Sequence, residues 1–155
     1  MCGIAGAVVG GRSLMTRATL ERMLQAIEHR GPDGHGANEF AAADGRRVLL
    51  GHRRLAIIDP VGGHQPMCDD TAQLALTFNG EIYNFRQLRE ELAACGYRFT
   101  RDSDTEVLLR AYQHWGEAVC EHLRGMFAFA IWDGINQRLF LGRDRFGEKP
   151  LFLLE

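Results

Sequence analysis

Apolar residues recur at helical spacing in three segments of the chain. The first is an i, i+3, i+4, i+7 series made of Leu20, Met23, Leu24 and Ile27. This series predicts an amphipathic helix that packs on a flat apolar surface. The second segment follows Asn84 and ends at Gly96, and its apolar face carries Phe85, Leu88, Leu92 and Cys95. The third follows Ser103 and turns inward Val107, Leu108, Ala111 and Trp115.

The starts of the second and third helices have capping-box patterns. Asn84 is followed three residues later by Gln87, and Ser103 by Glu106. In such a box the first side chain accepts a backbone N–H of the opening turn, and the later side chain reaches back to the cap. We therefore expect both helices to begin at these residues.

Extended stretches bounded by turn residues lie around the helical segments. The predicted strands are residues 3–9, 37–43, 46–58, 73–79, 126–132 and 138–143. The pair Asp44-Gly45 is a strong hairpin signal between the second and third of these. The run from Met126 to Trp132 is apolar at every position, which predicts a strand that is buried on both faces.

The order of these elements predicts the fold class. Strands come mostly in hairpins and helices in separate groups, so a doubly wound parallel sheet is not expected. Two stacked antiparallel sheets covered by helices account for both the amphipathic helices and the doubly buried strand. We therefore expect a single α+β domain over residues 1–155.

Composition and charge exclude several classes of protein. The chain is 46% hydrophobic and 25% charged, with a formal net charge of -2, which gives no reason to expect nucleic acid or a membrane as a partner. No apolar run approaches the ~20 residues of a membrane span, and no signal peptide is visible. The four cysteines are far apart, which favours reduced thiols and a cytoplasmic location.

Cys2 is the residue most suggestive of chemistry. Removal of Met1, usual before a small residue, would leave Cys2 with a thiol and a free α-amine on one carbon atom. A terminal α-amine titrates near pKa ~8 and can accept the thiol proton. Cys2 would then be an N-terminal nucleophile with its own base. The alternative is an unremarkable cysteine at a frayed terminus.

A nucleophile that attacks an amide carbon needs oxyanion donors, and Asn79-Gly80-Glu81 offers two. The Asn79 amide and the Gly80 N–H could both donate to an oxyanion. This triplet falls where the predicted strand 73–79 stops, and Asn-Gly is also one of the commonest turn pairs. Either a turn or an oxyanion site fits the sequence at this point.

Two charged residues could hold a substrate. Arg54 could bind a carboxylate through its planar guanidinium, or be a solvated strand-end charge as we expect of Arg53. Asp104 could hold an ammonium group, or simply favour the positive end of a helix. The histidines show no ligand spacing, so we expect no metal site. Asp33, in a Pro-Asp-Gly turn, is expected to be structural.

Several motifs, taken together and in this order, resemble one family. They are Met1-Cys2-Gly3-Ile4, Arg30-Gly31-Pro32-Asp33, His52 to Asp59, Gly63 to Met67, Asn79 to Asn84, Ser103 to Val107, Phe127 to Asp133 and Gly142 to Gly147. On these residues the chain resembles the N-terminal glutaminase domain of glutamine-dependent asparagine synthetases. These domains are class II glutamine amidotransferases of the N-terminal nucleophile hydrolase type.

The resemblance implies a role for each candidate residue. Cys2 would attack the side-chain amide of L-glutamine, with Asn79 and Gly80 holding the oxyanion. Arg54 would bind the α-carboxylate, and Glu81 and Asp104 the α-ammonium. Backbone groups of Leu55, Ala56, Ile57 and Ile58 would line the pocket. The implied fold is a four-layer αββα sandwich, with residues 30–36 and 60–67 as candidates for closing over the pocket.

The resemblance also sets expectations about partners and cofactors. In this family an ATP-dependent synthetase domain follows and uses the ammonia to amidate aspartate or a related carboxylate. Its pyrophosphatase motif is absent from residues 1–155, so we expect no cofactor in this chain, with ATP and Mg²⁺ bound only by the absent domain. We also expect the glutaminase domain to be truncated at its C-terminal strands. Two alternatives remain: a non-catalytic glutamine-binding or regulatory module, and an acylase of the same hydrolase type.

Overall fold

Two antiparallel sheets and flanking helices make up the fold. The computed structural model describes residues 2–11, 13–56 and 62–154. The strands are β1 (Gly3–Val9), β2 (Gly34–Ala41), β3 (Arg47–Arg54), β4 (Met67–Cys68), β5 (Leu74–Ile82), β6 (Gly125–Asp133) and β7 (Arg138–Arg143). The helices are α1 (Arg17–Ala26), α2 (Phe85–Ala94), α3 (Asp104–Trp115) and α4 (Val119–His122), with 3₁₀ turns at Glu28–Arg30 and Gly116–Ala118. The strand orders are β1-β3-β2 and β4-β5-β6-β7.

Three apolar clusters separate four layers. The first joins α1 to the β1-β3-β2 sheet through Leu20, Leu24 and Leu49. The second lies between the two sheets and contains Val48, Leu50, Ala75, Ala130 and Trp132. The third joins the other sheet to α2, α3 and α4 and contains Leu92, Leu108, Val119, Phe129 and Ile131. The predicted αββα sandwich is therefore confirmed.

The central strand β6 has apolar contacts on both faces. Phe127, Phe129 and Ile131 point to the helices, whereas Ala130 and Trp132 point to the other sheet. Successive side chains of a strand alternate between faces, so a continuous apolar run serves two interfaces at once. The prediction of a doubly buried strand is confirmed.

Hydrogen bonds also join the two sheets near one end. Thr77 Oγ1 donates to Gly51 O at 3.0 Å, and His52 Nε2 donates to Phe78 O at 3.1 Å. Burial, reinforced by the neighbouring Arg54 charge, lowers the pKa of His52 to about 4. His52 is therefore neutral at physiological pH, and its ring links β3 to β5 as an ordinary hydrogen-bond donor.

The element boundaries agree with the sequence in part. β1 and β7 have the predicted bounds, while β2 begins at Gly34, three residues before the expected Ala37. β5 continues to Ile82, so Asn79 and Gly80 lie inside a strand and the turn interpretation of this pair is wrong. The strand continues because β6 is long enough to pair with it as far as Ile82.

Two further observations differ from the predictions, one at the start of a helix and one at an arginine near the end of β3. Asn84 occupies the N-cap of α2 without a side-chain cap bond, because its amide donates to His122 O and accepts from Arg124 N. Ser103 does cap α3 by accepting from Glu106 N. Arg53 is not a solvated charge, since its side chain donates to Leu24 O and pairs with Glu28.

The described helices are all too short or too polar to span a lipid bilayer.

Replacing Phe129 with alanine should remove the central contact of the helix-facing cluster. Phe129 is 0% exposed and lies beside Phe127 and Phe140. Loss of a buried phenyl ring costs about 3–5 kcal/mol through lost burial and the cavity left behind. Urea unfolding followed by far-UV circular dichroism measures this free energy.

Ile135→Ala provides the matched control, because Ile135 lies in the β6–β7 turn and is 70% exposed. Its free energy of unfolding should change by less than about 0.5 kcal/mol. Equal effects of the two substitutions would contradict the burial of the β6 face.

Candidate active site

The outer edge of β5, opposite β6, supplies alternate backbone N–H groups to one cleft. Tyr83 N donates to Arg124 O, so the N–H groups of Ile82, Gly80 and Phe78 point away from β6. Side chains accept two of them: Asp104 Oδ2 lies 3.2 Å from Ile82 N, and Gln65 Oε1 lies 2.6 Å from Phe78 N. The N–H of Gly80 lies between these two anchored positions.

Gly80 lines the cleft, and within the described part of the chain no side chain or loop accepts its N–H. A Cβ at this position would come within 2.1 Å of Met126 O and 2.7 Å of Phe127 Cα. Only glycine fits there, because both nearby atoms belong to the paired strand. Asn79 is buried and lines the same cleft, so the two expected oxyanion donors are neighbours at one wall.

Cys2 reaches this cleft from the start of β1. Gly3 pairs with Arg53 at the end of β3, which brings the Cys2 side chain to the residue that follows that strand. Leu55 N donates to Cys2 Sγ at 3.4 Å, and the thiol donates to Leu55 O at 3.6 Å. An N–H directed at the sulfur stabilises negative charge that develops on it.

The loop Arg30–Asp33 holds the backbone around Cys2. Arg30 Nε donates to Cys2 O at 3.2 Å, and Asp33 Oδ2 accepts from Ala56 N at 2.8 Å. Gly31 packs so closely on β3 that a Cβ would lie 2.5 Å from Arg53 C. The resemblance makes residues 30–36 candidates for closing over the pocket; in the structure they instead pack on the sheet and support the backbone around Cys2.

Charged side chains lie at the other walls of the cleft. Arg54 is 7% exposed and Asp104 5% exposed, and both line the cleft with Glu81. Burial, aided by the Glu81 charge, raises the pKa of Asp104 to about 6 against the opposing hydrogen bond from the Ile82 N–H. A cation that entered here would offset the cost of the buried carboxylate.

The loop after β7 forms a further wall. Asp144 Oδ2 accepts the N–H groups of Phe127 and Lys149, and Oδ1 accepts those of Phe146 and Glu148. Burial alone would raise the pKa of Asp144, but these donors hold it below its usual value. The folded loop brings the buried Lys149 to the cleft beside Met126.

Most of the predicted site residues meet in this cleft. It is lined by Cys2, Arg54, Leu55, Asn79, Gly80, Glu81 and Asp104. Ala56 instead lines a neighbouring cavity with Asp33 and His52, and its N–H is already bound by Asp33. Ile57 and Ile58 lie outside the described residues.

Sequence reasoning missed several residues that line the cleft. They are Gly63, Gln65, Phe78, Thr105, Met126 and Lys149. Gly63 and Gln65 lie in the stretch 60–67 that we expected to close over the pocket, which was the only signal for them. Among the described residues, no group of three or more His, Cys, Asp or Glu side chains is placed to bind a metal ion.

Comparison with known proteins decides the family. Residues 1–155 match the glutamine amidotransferase domain. The chain belongs to this family. It is 45% identical to asparagine synthetase [glutamine-hydrolyzing] 3 and 46% identical to asparagine synthetase [glutamine-hydrolyzing] 1, both of Bacillus subtilis, over 98% of this chain in each case. It is also 37% identical to the amidase chry2 of Gibberella zeae over 98% of this chain.

This amidotransferase chain spans 24% of the length of each of these three relatives. Solved structures agree on the fold. The glutamine phosphoribosylpyrophosphate amidotransferase of B. subtilis has a TM-score of 0.57 and 23% identity, covering 72% of this chain and 31% of its own. An allosteric regulatory enzyme of purine biosynthesis has a TM-score of 0.57 and 26% identity, covering 70% and 31%. The family resemblance and the fold type predicted from the sequence are both confirmed.

Asp104→Asn should stabilise the free amidotransferase domain, and more so at pH 7 than at pH 4. The folded-state pKa of Asp104 is raised to about 6 from 3.8. Its burial therefore lowers the free energy of unfolding only slightly below pH 4, where it is protonated, and by the full amount above pH 6, where it is charged. The gain in the free energy of unfolding over wild type should therefore grow by on the order of 2 kcal/mol across this range.

Asp102→Asn is the matched control, because the Asp102 side chain is 86% exposed two residues earlier. Its exposed ion pair with Arg89 contributes little, so the effect of Asp102→Asn should change by less than about 1 kcal/mol over this range. A gain for Asp104→Asn that is constant between pH 4 and pH 7 would show that the buried carboxylate carries no ionisation cost.

Proposed function

We propose that this domain hydrolyses L-glutamine to glutamate and ammonia through a thioester on Cys2. The observation that carries the proposal is the shared cleft of the Cys2 thiol, the inward N–H of Gly80 and the charged side chains of Arg54, Glu81 and Asp104. A nucleophile, an oxyanion donor and charges of both signs within one cleft suit a zwitterionic amino acid with a reactive amide.

Cys2 acts as the nucleophile in this proposal. After removal of Met1 its α-amine takes the thiol proton, and Sγ bonds to the glutamine side-chain carbon. The Leu55 N–H, 3.4 Å from Sγ, favours the charged sulfur. Collapse of the tetrahedral intermediate breaks the C–N bond, and the α-amine returns the proton to the leaving ammonia. Water then attacks the thioester, releases glutamate and restores the thiol.

The Asn79 side chain and the Gly80 N–H hold the oxyanion in both steps. The Gly80 N–H is held on a paired strand, so little reorganisation is needed when charge develops. Arg54 binds the α-carboxylate of the substrate, and Asp104 with Glu81 binds the α-ammonium. Recognition of both charges would favour free glutamine over a glutamine residue within a peptide.

The ammonia is passed to a synthetase domain that lies outside residues 1–155 and amidates aspartate or a related carboxylate. The names of the Bacillus relatives support this acceptor. In our proposal, ATP and Mg²⁺ are bound by that domain and not by residues 1–155. A non-catalytic glutamine-binding role is the alternative, and the experiments below separate the two.

Cys2→Ala should abolish ammonia release from glutamine while leaving the fold unchanged. The substitution removes the only atom that can form the thioester in this mechanism. Ammonia is measured with a coupled assay, and intact mass shows whether Met1 is absent. Cys95→Ala is the matched control, because Cys95 is exposed and does not line the cleft. Glutamine binding without ammonia release in wild type would favour the regulatory alternative.

Glutamine binding to the Cys2→Ala variant should weaken about tenfold between pH 7.5 and pH 5. The pKa of Asp104 in the free domain is about 6, and its protonation at lower pH removes the charge that faces the substrate ammonium. Isothermal titration calorimetry at both pH values measures the Kd.

Adding Asp104→Asn should weaken binding at pH 7.5 and flatten this pH dependence. N-acetylglutamine, which lacks the ammonium group, is the ligand control and should bind with no such dependence. A pH dependence that survives Asp104→Asn would refute the assignment of this carboxylate.

A further inference from the structure

Gln65 connects three parts of the cleft, and the mechanism above does not use it. Its side-chain Oε1 accepts from Phe78 N at 2.6 Å, and its Nε2 donates to Thr105 Oγ1 at 3.3 Å. Its backbone oxygen packs on β2, where a Cβ on Gly36 would lie 2.1 Å away. Gln65 is therefore held by β2, β5 and α3 together.

The side chain of Gln65 replaces a missing strand partner. β4 pairs with β5 only through Met67–Leu76 and Cys68–Ala75. Extending this register by two residues places Gln65 opposite Phe78, but the bond to Phe78 N comes from the Gln65 side chain. Without that bond, the N–H of Phe78 would lose its acceptor, which is unfavourable for a buried donor.

Two side-chain anchors flank the oxyanion donor on the same strand edge. Gln65 fixes the N–H of Phe78, two residues before Gly80, and Asp104 fixes that of Ile82, two residues after it. His52 donates to Phe78 O as well, so both polar groups of Phe78 are held by side chains. β6 holds the other edge of β5 through its pairing with Gly80, and within the described ranges no strand pairs with this edge beyond β4. The two anchors therefore hold the Gly80 N–H on the cleft side.

We propose that Gln65 is a positioning residue that holds the edge of β5 so that the Gly80 N–H points at the developing oxyanion. This inference rests on the proposed glutaminase function. Gln65 Nε2 also donates to Thr105, the residue after Asp104. This bond connects the β5 edge that carries Gly80 to the first turn of α3, whose Asp104 binds the substrate ammonium in our proposal. A displaced oxyanion donor slows thioester formation without removing any group that binds glutamine.

The test compares two reactions of the same thiol. Thioester formation from glutamine builds an oxyanion, whereas alkylation of Cys2 by iodoacetamide forms an S–C bond at a CH₂ group, expels iodide and builds none. We expect Gln65→Leu to lower kcat for ammonia release by about 10–100-fold. The rate of Cys2 alkylation, followed by peptide mass, should stay within about twofold, and the glutamine Kd in a Cys2→Ala background within about threefold.

Gln113→Leu is the matched control. Gln113 is also half-buried and bridges α3 to a turn, accepting from Arg110 and donating to Asp69 Oδ2 at 3.4 Å, but it does not line the cleft. Its kcat should equal that of wild type. Thr105→Val removes only the second bond of Gln65 and should lower kcat less than Gln65→Leu does.

Gln65→Asn replaces Gln65→Leu if the latter does not fold, because its shorter amide stays polar but cannot reach both partners. A kcat for Gln65→Leu or Gln65→Asn equal to that of Gln113→Leu would overturn the inference and leave the glutaminase function intact. Equal losses in kcat and in Cys2 alkylation would overturn it too, since a general disturbance would then explain both. Wild type without ammonia release would overturn the proposed function itself, and this inference with it.

Discussion

The outer edge of β5 is the constraint on which the cleft depends. β4 covers this edge only at Ala75 and Leu76, so every second N–H beyond that point needs another acceptor or faces the cleft. Gln65 and Asp104 accept two of these groups, and the group between them, on Gly80, faces the cleft. A shorter partner strand thus creates a donor that a complete sheet would have used internally.

The opening turn of α3 is buried and also lines the cleft. Ser103, Asp104, Thr105 and Glu106 are all buried, although residues of these types are mostly exposed in proteins. Ser103 caps the helix and Glu106 accepts N–H groups of Thr100 and Arg101, so their burial is compensated. The hydrogen bonds of Asp104 compensate the burial of its carboxylate only in part, and its pKa is raised as a result. The fold therefore holds a buried carboxylate whose charge a cationic ligand could neutralise.

The sequence predicted features that depend on local periodicity, and missed those that depend on distant partners. The run Met126–Trp132 and the α1 series could be recognised because burial repeats with a fixed period. Asn79–Gly80 was assigned to the end of a strand, since pairing with β6 some 50 residues later is invisible locally. Asn84 is a residue type that often caps helices, but its side-chain oxygen accepts the N–H of the distant Arg124 instead. The only sequence signal for Gln65 was its place in the stretch 60–67, because its hydrogen bond to Phe78 N follows from the short pairing of β4.

Close backbone contacts surround the cleft at glycines. A Cβ would collide with backbone atoms at Gly31, Gly36 and Gly80, at 2.5 Å, 2.1 Å and 2.1 Å respectively. Neighbouring backbone cannot move aside as a flexible side chain can. Few substitutions are therefore tolerated at these glycines when the pocket is redesigned by laboratory evolution. Libraries directed at new amide substrates should diversify side chains such as Thr105 and Met126 and keep these glycines fixed.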